Sequence, residues 1–453
     1  MSARDPKARV FFRSLGCPKN QVDSEVMLGA LALGGYAIAE RLEDADVAVL
    51  NTCSFIASAR EESVEAILEL ATLREGGRLR ALLVAGCLPQ RYGTELEREL
   101  PEVDAFVGTG RYQDIVTILD AALAGRRRGV YVEAGRTHLH GADEPRLLIG
   151  GRHRAYLKIA EGCDRVCAFC AIPGIRGRFQ SGPLDSLFAE ARALAAEGVR
   201  ELNLVSQDTT SWGKDLPGRP RLATLVRALD EIEELRWIRL LYLYPAALDD
   251  ALIEALASGR RLLPYVDVPL QHASDSVLRA MRRGVTVKRQ RRLIETLRER
   301  IPGVVLRTTF IVGFPGETDD DFRRLCDFVG EQRFDRLGVF RYSDEEGTPA
   351  GSLEEKVPRE VARERYDRLV GIQSEILAEK LRAEVGRVVS VLVDSAAGET
   401  AAGRLWSQAP EVDGTVWLQG QSSPGEFVQA RITGVRGVDL EAKLVPGAGA
   451  AVG

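Results

Sequence analysis

The sequence has no apolar run that approaches the roughly 18 residues a transmembrane helix requires. It also lacks a secretory start. Met1 to Val10 is charged and is followed only by Phe11-Phe12, whereas a signal needs about 7–15 apolar residues there. Neither sign of charge dominates: 61 Lys and Arg stand against 66 Asp and Glu, a net charge of -5. That balance argues against broad, unselective nucleic-acid binding. No internal repeat occurs at solenoid spacing. Cysteine is scarce, seven residues in all, and the number is odd. Together these absences point to a cytoplasmic protein with no membrane contact. Cysteines there serve more often as metal ligands, catalytic groups or core residues than as disulfides.

What is present is ordinary for a globular chain: 45% hydrophobic and 28% charged residues. A length of 453 residues predicts about three domains. The first block, to about residue 124, carries short apolar strands at Arg9–Ser14, Val47–Leu50, Ala81–Ala85 and Ala105–Val107. Helical patterns such as Ser58–Leu73 separate them, which predicts a doubly wound parallel sheet. A polar stretch rich in Gly and Arg, Gly125–His153, reads as a linker.

The second block repeats the alternation, with strands expected at Ala155–Ala160, Glu201–Ser206, Ile238–Tyr242, Tyr265–Val268, Val304–Val312 and Leu337–Tyr342. Six such units suggest a complete or partial parallel (β/α) barrel with ligands at the carboxyl ends of its strands. A charged helix, about Arg359–Glu384, closes it. The third block has short β-branched segments at Arg387–Val393, Gly403–Trp406, Gly414–Leu418 and Phe427–Val435, which read as a small antiparallel barrel. The tail after Pro446 reads as loose. The expected units are 8–125, 149–384 and 386–446.

Six of the cysteines form two sets. Cys163, Cys167 and Cys170 make C-x-x-x-C-x-x-C directly after the first strand of the second block. Three thiolates in one loop suit an iron–sulfur cluster. A structural zinc would need a fourth ligand, and the loop has no further Cys or His. Cys17, Cys53 and Cys87 are related by position instead. Each follows the carboxyl end of a predicted parallel strand, the edge where open α/β sheets bind ligands. Gly16 and Gly86 permit the tight turns this needs. These three form a second candidate site. Cys326 lies in the helical pattern Asp321–Val329 and reads as a core residue.

C-x-x-x-C-x-φ-C, with Phe169 before the last Cys, resembles the signature of radical S-adenosylmethionine (SAM) enzymes. The resemblance implies a 4Fe–4S cluster on Cys163, Cys167 and Cys170, with SAM at the open iron and Phe169 near its adenine. A three-Cys N-terminal unit, a radical SAM unit and a TRAM-type barrel together resemble the methylthiotransferases. SLGCPKNQVDSE (Ser14–Glu25), DADVAVLNTCSFIASAREES (Asp44–Ser63) and AGCLPQRY (Ala85–Tyr92) resemble the branch acting on a ribosomal protein. EGCDRVCAFCAIPGIRG (Glu161–Gly177), SQDTTSWGKD (Ser206–Asp215), RTTFIVGFPGET (Arg307–Thr318) and YSDEEGTPA (Tyr342–Ala350) belong to the same set. The tRNA-modifying branch usually has Met where Lys19 stands.

The family implies addition of a methylthio group to an aspartate β-carbon in ribosomal protein number twelve of the small subunit. Such a carbon is unactivated, so the hard step goes to a cofactor radical. The first cluster would cleave SAM, and the resulting deoxyadenosyl radical would take the hydrogen. A second 4Fe–4S cluster, on Cys17, Cys53 and Cys87, would hold the sulfur, and a second SAM would methylate it. Ser206, Gln271 and Gly313 are the expected SAM-lining positions, with Gln207, Asp208 and His272 beside them. His138 and His140 read as solvated linker residues rather than a metal site. Gly108-Thr109-Gly110 falls short of G-x-G-x-x-G and is assigned no nucleotide.

From Gly386 on, Asp394, Glu399, Glu411, Asp413, Glu426, Asp439 and Glu441 outnumber Arg387, Arg404, Arg431, Arg436 and Lys443. That excess suits a basic protein partner better than a phosphate backbone, with RNA contact secondary. Trp406 and Trp417 are either contact aromatics or barrel core. Nothing in the sequence identifies the electron donor. Two rival readings are the same chemistry on a tRNA adenosine and an iron–sulfur RNA-binding regulator without catalysis.

Overall fold

The computed structural model describes residues 5–126, 129–133, 135 and 138–445. Pro446 and the tail after it lie outside the described residues. The N-terminal sheet has six parallel strands: β1 (Arg9–Ser14), β2 (Ala37–Ala39), β3 (Val47–Thr52), β4 (Ala81–Gly86), β5 (Ala105–Val107) and β6 (Gly129–Tyr131). Their order is β2-β1-β3-β4-β5-β6. Every residue of β3 and β4 is buried, as expected for strands covered on both faces. Val47, Val49, Leu83 and Ala85 pack under helices α1 (Pro18–Leu33) and Ile115–Leu123. Ala48, Leu50, Leu82 and Val84 pack on the other face, under α2 (Ala57–Glu75) and α3 (Cys87–Glu99). This is the period of two that a doubly wound sheet imposes.

The presumed linker needs correction. Its residues Gly129–Tyr131 form β6 and extend the sheet, pairing in parallel with β5. His140 is buried and lies 3.0 Å from Glu190. His138 Nε2 lies 3.0 Å from both oxygens of Glu144. Arg146 reaches Glu25 at 2.6 Å and Glu190 at 2.7 Å. Polar composition signalled solvent, but these polar groups pair with one another and fasten the segment down.

In the central region β7 (Arg154–Lys158) is followed by a short ladder of β8 (Ala160–Glu161) with β9 (Gln180–Ser181). Then come β10 (Glu201–Val205), β11 (Trp237–Leu240), β12 (Leu262–Asp267), β13 (Val305–Val312) and β14 (Arg336–Arg341). The six long parallel strands run in sequence order from β7 through β10 to β14, and the first does not pair with the last. The barrel is therefore partial. Cys326 lies on the buried face of helix Asp319–Gln332, in the core, as expected.

The third region is a closed five-stranded barrel of β15 (Val388–Ala397), β16 (Thr400–Arg404), β17 (Val416–Gln419), β18 (Phe427–Arg436) and β19 (Asp439–Leu444). Four pairs are antiparallel, but β17 and β19 are parallel. The expected small antiparallel barrel is therefore present, with one parallel pair that geometry requires. Directions cannot alternate around a ring with an odd number of strands, so at least one pair must be parallel.

The segment between β16 and β17 enters the N-terminal end of the central sheet. Arg239 donates to the carbonyls of Trp406 (2.9 Å) and Gln408 (3.1 Å). The Tyr265 hydroxyl donates to Asp413. Trp406 and Ala409 pack with Tyr156, Trp237 and Tyr265. One end of the partial barrel is thus plugged, and the other carries the cysteines. Among the described residues no helix is long and apolar enough to cross a membrane.

The acid excess of this barrel is also corrected. Asp394 pairs with Arg404 and His153, Glu411 with Arg154, and Asp413 with Arg307. Arg404 is buried. What remains is Glu399, Glu426, Asp439 and Glu441 against Arg387, Arg431, Arg436 and Lys443, an even balance. The excess sits in the junction between regions, not on a docking face. Trp406 is half-buried and packs against the junction, whereas Trp417 is 44% exposed and donates to Asp439 at 2.9 Å.

Candidate functional site

Cys17 precedes α1, Cys53 follows β3, and Cys87 opens α3. All three stand at the carboxyl edge of the N-terminal sheet. Gly16 and Gly86 adopt φ of +92° and +101°, where a side chain is strained. A Cβ on Gly16 would lie 2.8 Å from Cys53 Cβ, and one on Gly86 would lie 2.2 Å from Asn51 Oδ1. Only glycine lets these loops close together. Asn20 donates to the Leu15 carbonyl at 2.7 Å and to the Thr52 carbonyl at 3.2 Å. Ser54 donates to the Cys87 carbonyl at 2.9 Å. Burial, then the neighbouring Cys17, pushes the Cys53 thiol up. Burial likewise raises Cys87 to about 12, although Arg176 opposes it.

Cys163, Cys167 and Cys170 occupy the loop between β8 and the short helix Ile172–Arg176. The loop is pinned at both sides. Cys163 N donates to Gly177 O (3.1 Å), Ala168 N to Met281 O (3.0 Å), and Ala350 N to Ala168 O (2.8 Å). Burial raises Cys163 to about 11 and Cys170 to about 12. Such thiols stay protonated unless a metal centre replaces the proton.

Among the described residues no group of three or more His, Cys, Asp or Glu is placed to hold a single metal ion. A cubane cluster is larger than an ion, so its thiolates stand further apart than the roughly 2.3 Å zinc–sulfur bonds of a zinc site would allow. Three all-sulfur donors per site, without a fourth protein ligand, fit a cluster with one open iron.

A buried charge network joins the two regions. Arg176, six residues past Cys170, donates to Asp23 (2.7 Å), Glu161 (2.9 Å) and Asn20 (2.9 Å). Lys158 donates to Glu161 at 2.9 Å and to Asp23 at 2.5 Å. Gln207 donates to Glu161 at 2.7 Å. Burial opposes the charges on Arg176, Lys158 and Glu161. The pairing wins: Arg176 and Lys158 are held above, and Glu161 below, their ordinary ranges. Nearby, Lys19 Nζ lies 3.4 Å from the centroid of the Tyr242 ring. A second brace carries Arg60 and Arg91 to Glu345, the latter at 2.8 Å, in the loop after β14. The sequence offered no sign of either brace, because the partners lie far apart along the chain.

The expected SAM-lining residues are spread around the same carboxyl ends. Phe169 packs against a small cluster of Ala168, Val277, Met281, Phe314 and Ala350. Ser206 is buried, 3.3 Å from Thr209. Gln271 has φ +74° and a buried Oε1 without a partner among the described residues. An orphaned acceptor there is a place for a ligand donor. Gly313 is also constrained by packing. Its φ is +73°, and an added Cβ would lie 2.6 Å from Ala362 Cβ, so the close approach is to the closing helix Arg359–Arg382. Glu317 caps this turn through Gly313 N (2.8 Å) and pairs with Arg365 (2.9 Å). His272 and Glu317 are both buried, 3.6 Å apart.

A partial parallel barrel with three cysteines in its first loop defines the class of radical SAM proteins, here with an N-terminal three-cysteine unit and a terminal barrel. Residues 157–329 match the radical SAM superfamily, residues 385–445 the TRAM domain, and residues 9–108 the uncharacterized protein family UPF0004. Solved structures of that class share the fold. TsrM from Kitasatospora setae, a radical SAM methyltransferase with cobalamin and a [4Fe-4S] cluster bound, aligns with TM-score 0.54 at 15% identity. That alignment covers 76% of this chain and 74% of that one.

The nearer likeness is to "Ribosomal protein uS12 methylthiotransferase RimO". The Anaeromyxobacter sp. (strain K) protein of that name is 52% identical over 96% of this chain and 93% of its own. That from Myxococcus xanthus is 47% identical over 98% and 93%, and that from Geobacter sulfurreducens 46% over 97% and 99%. The chain belongs to the RimO family.

Proposed function

We infer that this chain is a radical SAM methylthiotransferase that modifies ribosomal protein uS12, with two 4Fe–4S clusters and SAM as cofactors. The observation that carries the reading is likeness over nearly the full length to RimO proteins, in a chain that carries both three-cysteine sets. The modified atom on this reading is an aspartate β-carbon. When bound, the cluster on Cys163, Cys167 and Cys170 would supply the electron that turns SAM into a hydrogen-abstracting radical, and that on Cys17, Cys53 and Cys87 would hold the sulfur to be inserted.

The protein's own residues do the rest. Phe169, Ser206, Gln271 and Gly313 line the SAM position. Gln271 offers SAM the unpartnered acceptor described above. The Arg176–Asp23–Lys158–Glu161 network holds the two cysteine sets in register. Such register matters because a misplacement of about 1 Å can cost about a hundredfold in rate. The plugged end of the barrel leaves the cysteine end as the way in for substrate. The units are 8–125, extended by β6 to residue 131, 149–384 and 386–446, and the compartment is the cytoplasm.

The test offers the reconstituted enzyme uS12 and tRNA in separate anaerobic mixtures with SAM, a reductant and sulfide. The expected result is a gain of one methylthio group on uS12 and none on tRNA. A gain on tRNA alone would overturn the substrate, and no deoxyadenosine in any mixture would overturn the enzyme.

A further inference from the structure

Arg283 is 5% exposed and sits directly against the cysteine loop. Its Nη1 donates to Cys167 Sγ at 3.3 Å, and its Nη2 to the Pro269 carbonyl at 2.7 Å. Its guanidinium carbon is 4.5 Å from the centroid of the Tyr244 ring, and the Tyr244 hydroxyl donates back to the Arg283 carbonyl. Its Nε is buried and has no acceptor among the described residues. Neighbouring Met281 holds the loop itself through Ala168 N at 3.0 Å.

The anomaly is the charge. Arg165, on the same Tyr244 ring, is neutralised by Asp208 at 2.7 Å. Arg283 makes no ion pair with a carboxylate among the described residues. A buried, unpaired cation is costly, and a carbonyl and a ring face return only part of that cost. The negative charge it lacks is what Cys167 gains on losing its proton to an iron cluster. Cluster sulfurs are also acceptors of the kind Nε is missing.

We propose that Arg283 is a positioning residue that holds the Cys167 thiolate and raises the reduction potential of the SAM-cleaving cluster. The proposal rests on the assignment of Cys163, Cys167 and Cys170 above. The physical reason is simple. Reduction adds one electron and hence one negative charge to the cluster. A cation hydrogen-bonded to a ligand sulfur in a dry site favours the reduced state, because hydrogen bonds to the sulfurs and net charge both set cluster potentials. Losing Arg283 should make the electron harder to deliver.

The test uses the full chain with Cys17, Cys53 and Cys87 changed to Ala, so that one cluster remains. That background also checks the assignment itself, since a chain without any cluster would refute the assignment and not Arg283. The potential of the remaining cluster is followed by electron paramagnetic resonance during a dithionite titration. Arg283→Gln should hold its iron and show a more negative potential, while Arg283→Lys, which keeps the charge, should stay closer to the parent. A loaded Arg283→Gln cluster at the parent potential would overturn the proposal. If Arg283→Gln does not load, the paired variant decides. A loaded Arg283→Lys with a normal melting curve supports an electrostatic role, and loss of the cluster in both contradicts it.

Discussion

At the scale of residues, the site depends on positions where one atom too many or one charge too few is decisive. Gly86→Ala would place a Cβ 2.2 Å from Asn51 Oδ1 and 2.6 Å from the Thr52 carbonyl, at a φ that side chains avoid. We expect a loss of about 2 kcal/mol or more in denaturant unfolding of the apoprotein, together with loss of the N-terminal cluster. Cys163→Ala should abolish deoxyadenosine formation from SAM, as read by chromatography. Both cysteine sets were legible in the sequence, one from spacing and the other from strand ends. Arg176 and Arg283 were not. Nothing marks an arginine as buried until the fold brings it to a carboxylate or a thiol more than a hundred residues away.

At the scale of elements, the strands with continuous β-branched or aliphatic runs were read correctly from the sequence, β1 and β5 to the residue. The missed strands were β2 and β6, of three residues each, β9, of two, and β19. Three residues carry too little periodicity to stand out. The junctions between elements are electrostatic and yield two predictions. Arg176→Ala would leave Asp23 and Glu161 to share Lys158, and removing one member of a buried network costs about 3–5 kcal/mol. Chemical denaturation of the apoprotein measures it.

The second junction prediction concerns Asp394. Burial pushes its carboxyl up, but His153 and Arg404 outweigh that and bring it from 3.8 to about 2. Its contribution is therefore present above pH 3.8, where it amounts to about 2 kcal/mol, and is lost as the pH falls through about 2. Asp394→Asn should lower stability at pH 7 by about that amount, with the difference closing as the pH falls from about 4 to about 2. An unchanged difference at low pH would mean that the ion pairs do not hold the barrel in place.

At the scale of the whole molecule, two of the three regions meet at one reactive edge. The N-terminal sheet and the central partial barrel present their carboxyl ends to each other through Arg176 and Lys158. The terminal barrel closes the far end with the segment that carries Asp413. Region order and fold class were legible because alternation, run length and turn chemistry are local signals. The charge reading of the terminal barrel was not, because a count of acids and bases cannot say which ones face inward.

The central claim is that one chain runs two separable functions, cleavage of SAM at one cysteine set and sulfur delivery at the other. The most direct test compares the parent chain with Cys53→Ala in a single anaerobic mixture of SAM, reductant, sulfide and uS12, scoring deoxyadenosine and the mass of uS12 together. Cys53→Ala should still form deoxyadenosine while uS12 keeps its mass. A normally methylthiolated uS12 from that variant would contradict the claim.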